Sequence, residues 1–215
     1  MLVDRSLFQE KIRAGSDQLK LDLHDTQIEK LIVYLEQLHK WNKAFNLSGI
    51  RDPERMLSHH LMDSLSVLKF FNAEHIADIG TGAGLPGIPL AICQPESCFQ
   101  LVDSNSKKTR FMFQTIALLG LKNVTVSHNR VQSYSAKPLC DIVTSRAFAS
   151  LADFVSTGAH LLSDKPDSRM LAMKGKVPDE ELAELPDNFM LHDCVLFKVP
   201  GLDADRCIID IRKKA

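Results

Sequence analysis

Four glycines, Gly80, Gly82, Gly84 and Gly87, fall inside Asp78-Ile79-Gly80-Thr81-Gly82-Ala83-Gly84-Leu85-Pro86-Gly87, with apolar runs on both sides. Glycine excludes a side chain and lets main-chain amides come close to a ligand. Two chemistries share this pattern. Gly82 to Gly87 spells the G-x-G-x-x-G of dinucleotide sites, where a bare helix N-terminus receives a pyrophosphate. Asp78 to Gly84 spells an acid followed by three alternating glycines, the pattern of S-adenosylmethionine sites. A glycine-rich turn can also simply close a strand-to-helix corner. Leu101-Val102-Asp103 sharpens the case, because it sets a carboxylate roughly 20 residues on, where the second strand of such a fold offers an acid to ribose hydroxyls.

The remaining residues decide between the two ligands. A hydride-transfer enzyme needs a proton donor, and the nearest match to Tyr-x-x-x-Lys is Tyr134-Ser135-Ala136-Lys137-Pro138, with the lysine one position early and a proline behind it. After the core strands no length remains for a separate substrate domain. S-adenosylmethionine carries no phosphate, and its amino-acid tail is zwitterionic. The loop with Asp103 therefore reads as a site for S-adenosylmethionine.

These residues need a frame. From Thr26 to Phe45, Ile28, Leu31, Ile32, Leu35, Leu38 and Trp41 recur at helical spacing, with Asp25 or Thr26 as the cap. Asp52-Pro53-Glu54 opens another helix, lined on one face by Leu57, Leu61, Leu65, Leu68 and Phe71. From His75 the pattern becomes strand-like runs (76–79, 99–102, 124–126, 141–144, 170–173) alternating with helices, one of them at 106–119 and closed by Gly120. Runs at 190–199 and 207–211 read as a closing antiparallel pair joined by 200–203. Residues 1–73 are expected as a helical extension packed on a core of residues 74–215. The alternation predicts an α/β fold with a mostly parallel sheet covered by helices on both faces.

The chain of 215 residues has a formal charge of −1, from 26 basic and 27 acidic residues, which argues against non-specific coating of nucleic acid. Its five cysteines contain no C-x-x-C and read as small buried hydrophobes of a reducing compartment. No apolar run approaches ~18 residues, and Met1-Leu2-Val3-Asp4-Arg5 lacks the apolar core of a secretory leader, so a cytoplasmic protein without membrane contact is expected.

The motifs together resemble those of the bacterial small-subunit (16S) ribosomal RNA guanine-N7 methyltransferase family, also called glucose-inhibited division protein B. The resemblance runs from Leu38-His39-Lys40-Trp41-Asn42-Lys43 to the last strand. It rests on Asn46-Leu47 with Arg51-Asp52-Pro53-Glu54, on His60-Leu61-Met62-Asp63-Ser64-Leu65, on Asp78 to Pro89, and on Leu101-Val102-Asp103-Ser104 with Lys107, Arg110 and Phe111. Ser145-Arg146-Ala147-Phe148-Ala149 and Lys174-Gly175 complete it. It implies a class I, Rossmann-like, S-adenosylmethionine-dependent fold with a seven-stranded sheet and one antiparallel strand near the edge. It also implies that Gly80, Leu85, Val131, Gln132 and Arg146 hold the cofactor, beside Gly82, Gly84 and Asp103 of the motifs. Arg206 falls where the family has a basic residue associated with activity. The chain departs at Gln132, where glutamate is usual, at Cys207, where histidine is frequent, and at Lys108, where arginine is common.

The implied reaction, methyl transfer to guanine N7, needs no general base, because N7 has an exposed lone pair and loses no proton. Positioning and exclusion of water then carry catalysis. The chain accordingly lacks the Pro-Pro-aromatic motif of amine methyltransferases after strand four, and Cys140 opens that strand, unlike a cytosine-C5 nucleophile. Arg146, Arg206 and Lys174 are the candidate catalytic residues, with Arg146 organising cofactor and site and with Arg206 or Lys174 facing RNA. The bland alternatives are a structural ion pair for Arg146 and a solvated strand-edge charge for Arg206. His60 and Asp63, three apart on a helix, read as a hydrogen-bonded pair, as half a metal site or as structural residues, and the resemblance implies that they line the cofactor cleft or fix the extension against the core. No metal and a monomeric state are expected. Arg51, Arg55, Lys107, Lys108, Arg110 and Lys176 join Lys174 and Arg206 as a basic rim for 16S ribosomal RNA in the small subunit. A catalytically silent binding module and a small-molecule methyltransferase stand as the rival functions.

Overall fold

The structure, a computed structural model, describes residues 4–146, 148 and 150–214. The leader reading at Met1 to Val3 and the Ala147 and Ala149 positions of the Ser-Arg-Ala-Phe-Ala motif lie outside the described residues. The chain begins with α1 (Arg5–Leu19), capped by Asp4, whose carboxylate accepts the Leu7 amide at 3.1 Å. Next comes α2 (Asp25–Phe45). Its cap is His24 and not Asp25 or Thr26, and the Gln27 side chain turns back to accept the His24 amide at 2.9 Å. Ile28, Leu31, Ile32, Leu35 and Leu38 are buried as their spacing requires, and Trp41 packs edge-on to Phe111 with ring centroids 5.8 Å apart.

After Asp52, the expected single helix is three pieces. α3 (Pro53–Met56) runs into a π-helix (Leu57–Met62), which resumes α-geometry as α4 (Asp63–Leu65). The wider π-turn rotates the side chains that follow it and breaks the strict 3.6 spacing.

Then β1 (His75–Ile79), α5 (Gly87–Cys93), β2 (Cys98–Asp103), α6 (Ser106–Leu119), β3 (Val124–His128), β4 (Ile142–Ser145), α7 (Leu151–Gly158), β5 (Arg169–Lys174) and α8 (Asp179–Ala183) alternate. Two long strands, β6 (Phe189–Val199) and β7 (Leu202–Lys213), close the chain. The sheet has seven strands in the order β3-β2-β1-β4-β5-β7-β6, and β7 runs antiparallel to both of its neighbours. Successive residues of each strand feed opposite faces. Ile76, Phe99 and Leu101 join one apolar cluster with Phe8, Leu31, Leu35 and Leu61, so residues before β1 share the core that the sheet builds. Ala77, Ile79 and Val102 face a second cluster under α7.

Candidate active site

Strand order reverses between β1 and β4, which opens a crevice beyond the C-terminal ends of the parallel strands. The glycine loop leaves β1 there. Gly80 and Gly82 have φ of +63° and +64°, a region that strains residues with a Cβ, and a Cβ at either would meet only ordinary contacts. A Cβ on Gly82 would find only Lys108 Nζ, at 3.8 Å, and one on Gly80 would find Phe148 Cε2 at 3.5 Å. Gly84, itself at φ of +80°, and Gly87 also serve packing. A Cβ there would lie 2.4 Å from Ile88 Cδ1 and 2.3 Å from Leu101 Cδ2 respectively, so these two positions let α5 sit against the loop and β2. Asp78 fixes the loop from beneath, with Oδ2 accepting from Thr81 Oγ1 at 2.6 Å and from the Gly87 amide at 2.9 Å. Burial lifts its pKa to about 7, against the opposing pull of those two hydrogen bonds and of Arg146.

The same bonds answer the ligand question. In the first turn of α5 the Gly87 amide is committed to Asp78, Ile88 and Leu90 donate to the carbonyls of Gly84 and Pro86, and Pro89 has no amide hydrogen. That turn has no donor left for a pyrophosphate, which weighs against the dinucleotide reading of the motif. Asp103, only 6% exposed, accepts the Gly82 amide on Oδ2 and the Asn105 amide on Oδ1, each at 2.8 Å. A carboxylate has about four acceptor positions, so two remain for the hydroxyls of a ribose. Val131 (nearly buried) and Gln132 (exposed) stand on a short 3-10 turn after β3 and supply an apolar edge and an amide. Leu85 is buried behind the loop with its amide on the Thr81 carbonyl at 3.0 Å. This donor and acceptor set fits an uncharged nucleoside sugar without phosphates, as S-adenosylmethionine has.

Arg146, Lys174 and Arg206 meet in a cleft of about 310 Å³, together with His59, His60 and Asp63. The register explains why. Arg146 follows β4, Lys174 ends β5, and antiparallel β7 pairs Cys207 with Lys174, which brings Arg206 level with the C-terminal ends of the parallel strands. The three cations have different partners. Lys174 Nζ donates to both oxygens of Glu181, at 3.0 and 2.7 Å, so its charge is neutralised in the cleft wall. Asp63, 3% exposed, accepts Arg146 Nη1 on Oδ2 at 3.2 Å and Arg206 Nε on Oδ1 at 2.8 Å. Arg206 also donates Nη1 to the Asp205 carbonyl at 2.9 Å, and Arg146 Nη1 donates to the His59 carbonyl at 3.2 Å. The Arg206 reading as a solvated strand-edge charge is corrected by this contact.

Of the readings open for His60 and Asp63, the hydrogen-bonded pair does not form. Across the π-turn the two side chains diverge, and His60 Nε2 meets Ser48 Oγ at 2.7 Å. Burial first, and then the charge of Arg146, lower the His60 pKa to about 4. The ring is therefore neutral, and Ser48 donates to it while accepting the Ile50 amide at 3.1 Å.

A family profile described as "rRNA small subunit methyltransferase G" matches residues 27–209. The ribosomal RNA small subunit methyltransferase G of Stutzerimonas stutzeri (strain A1501) is 46% identical over 214 residues, which cover 99% of this chain and 98% of that one. The chain belongs to this family. Solved structures share its fold at lower identity. TrmN from Thermus thermophilus aligns with a TM-score of 0.56 and 16% identity over 74% of this chain and 53% of its own. M. jannaschii TYW2, in complex with AdoMet, aligns with a TM-score of 0.56 and 19% identity over 72% of this chain and 76% of its own.

Several residues of the site carried no sequence signal of their own. Tyr34 supports the loop from α2, donating its hydroxyl to the Ala83 carbonyl at 3.0 Å. Asn42 shapes the 46–50 turn, donating to the Ile50 carbonyl at 2.8 Å and accepting the Ser48 amide at 2.7 Å. Glu181 lies in an acidic stretch that reads as surface, yet it holds Lys174 and accepts the Leu151 amide at 2.7 Å. Such long-range partners leave no local periodicity to read. Lys108 stands over the loop at Gly82, and among the basic rim residues Arg51 is turned to Asn46 Oδ1 at 2.9 Å.

Proposed function

We propose that this chain methylates N7 of one guanine in 16S ribosomal RNA of the small subunit, using S-adenosylmethionine, in the cytoplasm. The observation that carries the reading is the convergence, at one switch point, of a phosphate-free nucleoside loop with a cleft of arginines. S-adenosylmethionine supplies an electrophilic methyl group on its sulfonium. Gly80, Gly82, Gly84, Leu85, Asp103, Val131 and Gln132 form the cofactor side, with Asp103 accepting the ribose hydroxyls. Arg146 stands where β4 ends and organises the boundary between cofactor and substrate.

Guanine presents N7 and O6 as acceptors on its Hoogsteen edge. An arginine donating to N7 would occupy the lone pair that reacts, so guanidinium donors belong on O6 or on a backbone phosphate. Arg206, whose Nε and Nη1 are committed, has Nη2 for this contact. Lys174, locked to Glu181, shapes the wall and keeps the cleft electrostatically ordered. The cleft itself supports chemistry without a base. Both oxygens of Asp63 are taken by arginines and His60 Nε2 accepts from Ser48, which leaves neither group placed to abstract a proton, and N7 requires no abstraction.

Ribosomal RNA from cells with and without the protein, reduced and cleaved with aniline at N7-methylguanine, gives the direct test. One cleavage band that appears only with the protein is expected, and identical patterns would refute the reading.

A further inference from the structure

Asp63 lies among the helical residues before β1, yet one of its partners directly follows β4 and the other lies in β7, 83 and 143 residues away in sequence. It stands at the point where the π-helix gives way to α4, and its side chain is 4% exposed against 24% for Arg146 and 22% for Arg206. One carboxylate thus takes a separate oxygen to each of two guanidiniums that would otherwise repel across a half-buried cleft. The Arg206 contact is through Nε, so the bond fixes the plane of the guanidinium and with it the direction of Nη2.

We propose that Asp63 is a positioning residue for methyl transfer. It sets the spacing and orientation of Arg146 and Arg206, and so makes the helical residues before β1 part of the active site. The proposal rests on the reading of the cleft as the site of methyl transfer to RNA. Asp63 touches neither substrate nor cofactor and acts through the two arginines. A purely structural ion pair would stabilise the fold without setting turnover. The geometry points beyond that, because the carboxylate divides its oxygens between the two arginines the substrate must meet.

The test uses the full chain and small ribosomal subunits lacking the modification. Asp63→Asn retains an acceptor for one arginine and turns an N–H₂ group toward the other. It is expected to lower kcat about 100-fold with KM for the subunit changed less than about threefold, the size expected for reacting groups misplaced by an ångström. In an Arg206→Gln background the same substitution is expected to cost less than about tenfold, because residues acting as one unit are not additive. Asp63→Glu keeps the charge and displaces it by one methylene. It is expected to fold with an unchanged melting temperature and still lose kcat about tenfold, which keeps the proposal testable should the asparagine variant fail to fold. Full kcat in folded Asp63→Glu, or losses for Asp63→Asn and Arg206→Gln that simply multiply, would overturn it.

A readout without activity separates this proposal from the functional one. In ¹⁵N spectra the Arg206 Nε–Hε signal is expected to exchange slowly with solvent in the wild-type protein and fast in Asp63→Asn or, should that variant not fold, in Asp63→Ser. An Arg206 signal that is equally protected with and without the carboxylate would refute the positioning role. An unmethylated ribosomal RNA with a protected Arg206 would refute only the reading of the reaction.

Discussion

Tyr34 donates its hydroxyl to the main-chain carbonyl of Ala83 at 3.0 Å, joining α2 to the glycine loop across 49 residues of sequence. The phenol is fully buried, and burial holds its pKa far above the ordinary value, so it stays a donor at every physiological pH. Tyr34→Phe keeps the packing against Phe111 and removes only the donor. Leaving a buried carbonyl unpaired costs about 1–3 kcal/mol. The expected result is a lower urea midpoint together with an S-adenosylmethionine Kd raised about three- to tenfold, read by calorimetry. A destabilised variant that binds the cofactor with unchanged affinity would show that the loop is rigid without α2.

The four glycines predict two phenotypes. Gly82→Ala places a Cβ without a clash at a positive φ, which costs about 1 kcal/mol of backbone strain, and obstructs what we propose is the cofactor side of the loop. It should fold and bind S-adenosylmethionine weakly. Gly87→Ala drives a Cβ to 2.3 Å from Leu101 Cδ2 and 2.9 Å from Asp78 Oδ2, so α5 must move. Overpacking of this kind costs about 1–3 kcal/mol or more. Thermal melts and calorimetry on the pair should separate binding from stability, and equal melting temperatures would contradict the division.

The sheet and the cofactor loop were legible for a physical reason. Strands buried on both faces read as apolar runs, and α6 was readable at about 106–119 because Gly120 closes it, while its Asn105 cap emerges only in the structure. The resemblance to the family supplied the seven-stranded sheet with one antiparallel strand near the edge, and the expectation that Val131, Gln132 and Arg146 face the cofactor. What stayed hidden lacks a local code. Nothing in Leu57-Ser58-His59-His60-Leu61-Met62 separates a π-turn from an α-turn, yet that turn sends His60 to Ser48 and Asp63 to the arginines. Likewise β7 extends back to Leu202, beyond the apolar Cys207 to Ile211, because its first half pairs with β6 as a ribbon with alternating exposed residues.

Asp78 and His60 give stability opposite dependences on pH. For Asp78 the ordinary value is 3.8 and the folded value about 7, so between them the folded state holds a proton that the unfolded state has lost. Stability then falls as pH rises from about 4 to about 7 and is level above. For His60 the ordinary value is 6.5 and the folded value about 4, so the unfolded state binds the extra proton and stability falls as pH drops from about 6.5 to about 4. The two slopes oppose each other through most of this window. Asp78→Asn is expected to expose the acid-side loss due to His60, and His60→Gln the loss on raising pH due to Asp78. Urea midpoints at half-unit pH steps provide the check, and parallel profiles for the two variants would contradict it.

Lys174 and Arg206 stand in the same cleft but should fail differently. Lys174 is 17% exposed and bound to both oxygens of Glu181, which also accepts the Leu151 amide at the start of α7. Lys174→Met leaves a half-buried carboxylate with one donor fewer, a loss of about 1–2 kcal/mol, between surface and fully buried ion pairs. Its melting temperature should fall while the salt dependence of RNA binding keeps its slope. Arg206→Gln removes the guanidinium proposed to face the RNA and should lower that slope by about one unit in log Kd against log salt. Replacing Arg51, Arg55 and Lys107 together should flatten it further, because each phosphate contact releases counterions, and should leave S-adenosylmethionine binding intact. Filter binding from about 50 to 200 mM salt measures these slopes. A reduced slope in Lys174→Met, with Glu181 still in place, would mean that the lysine leaves its carboxylate to meet RNA, and the neutral wall proposed for the cleft would have to be abandoned.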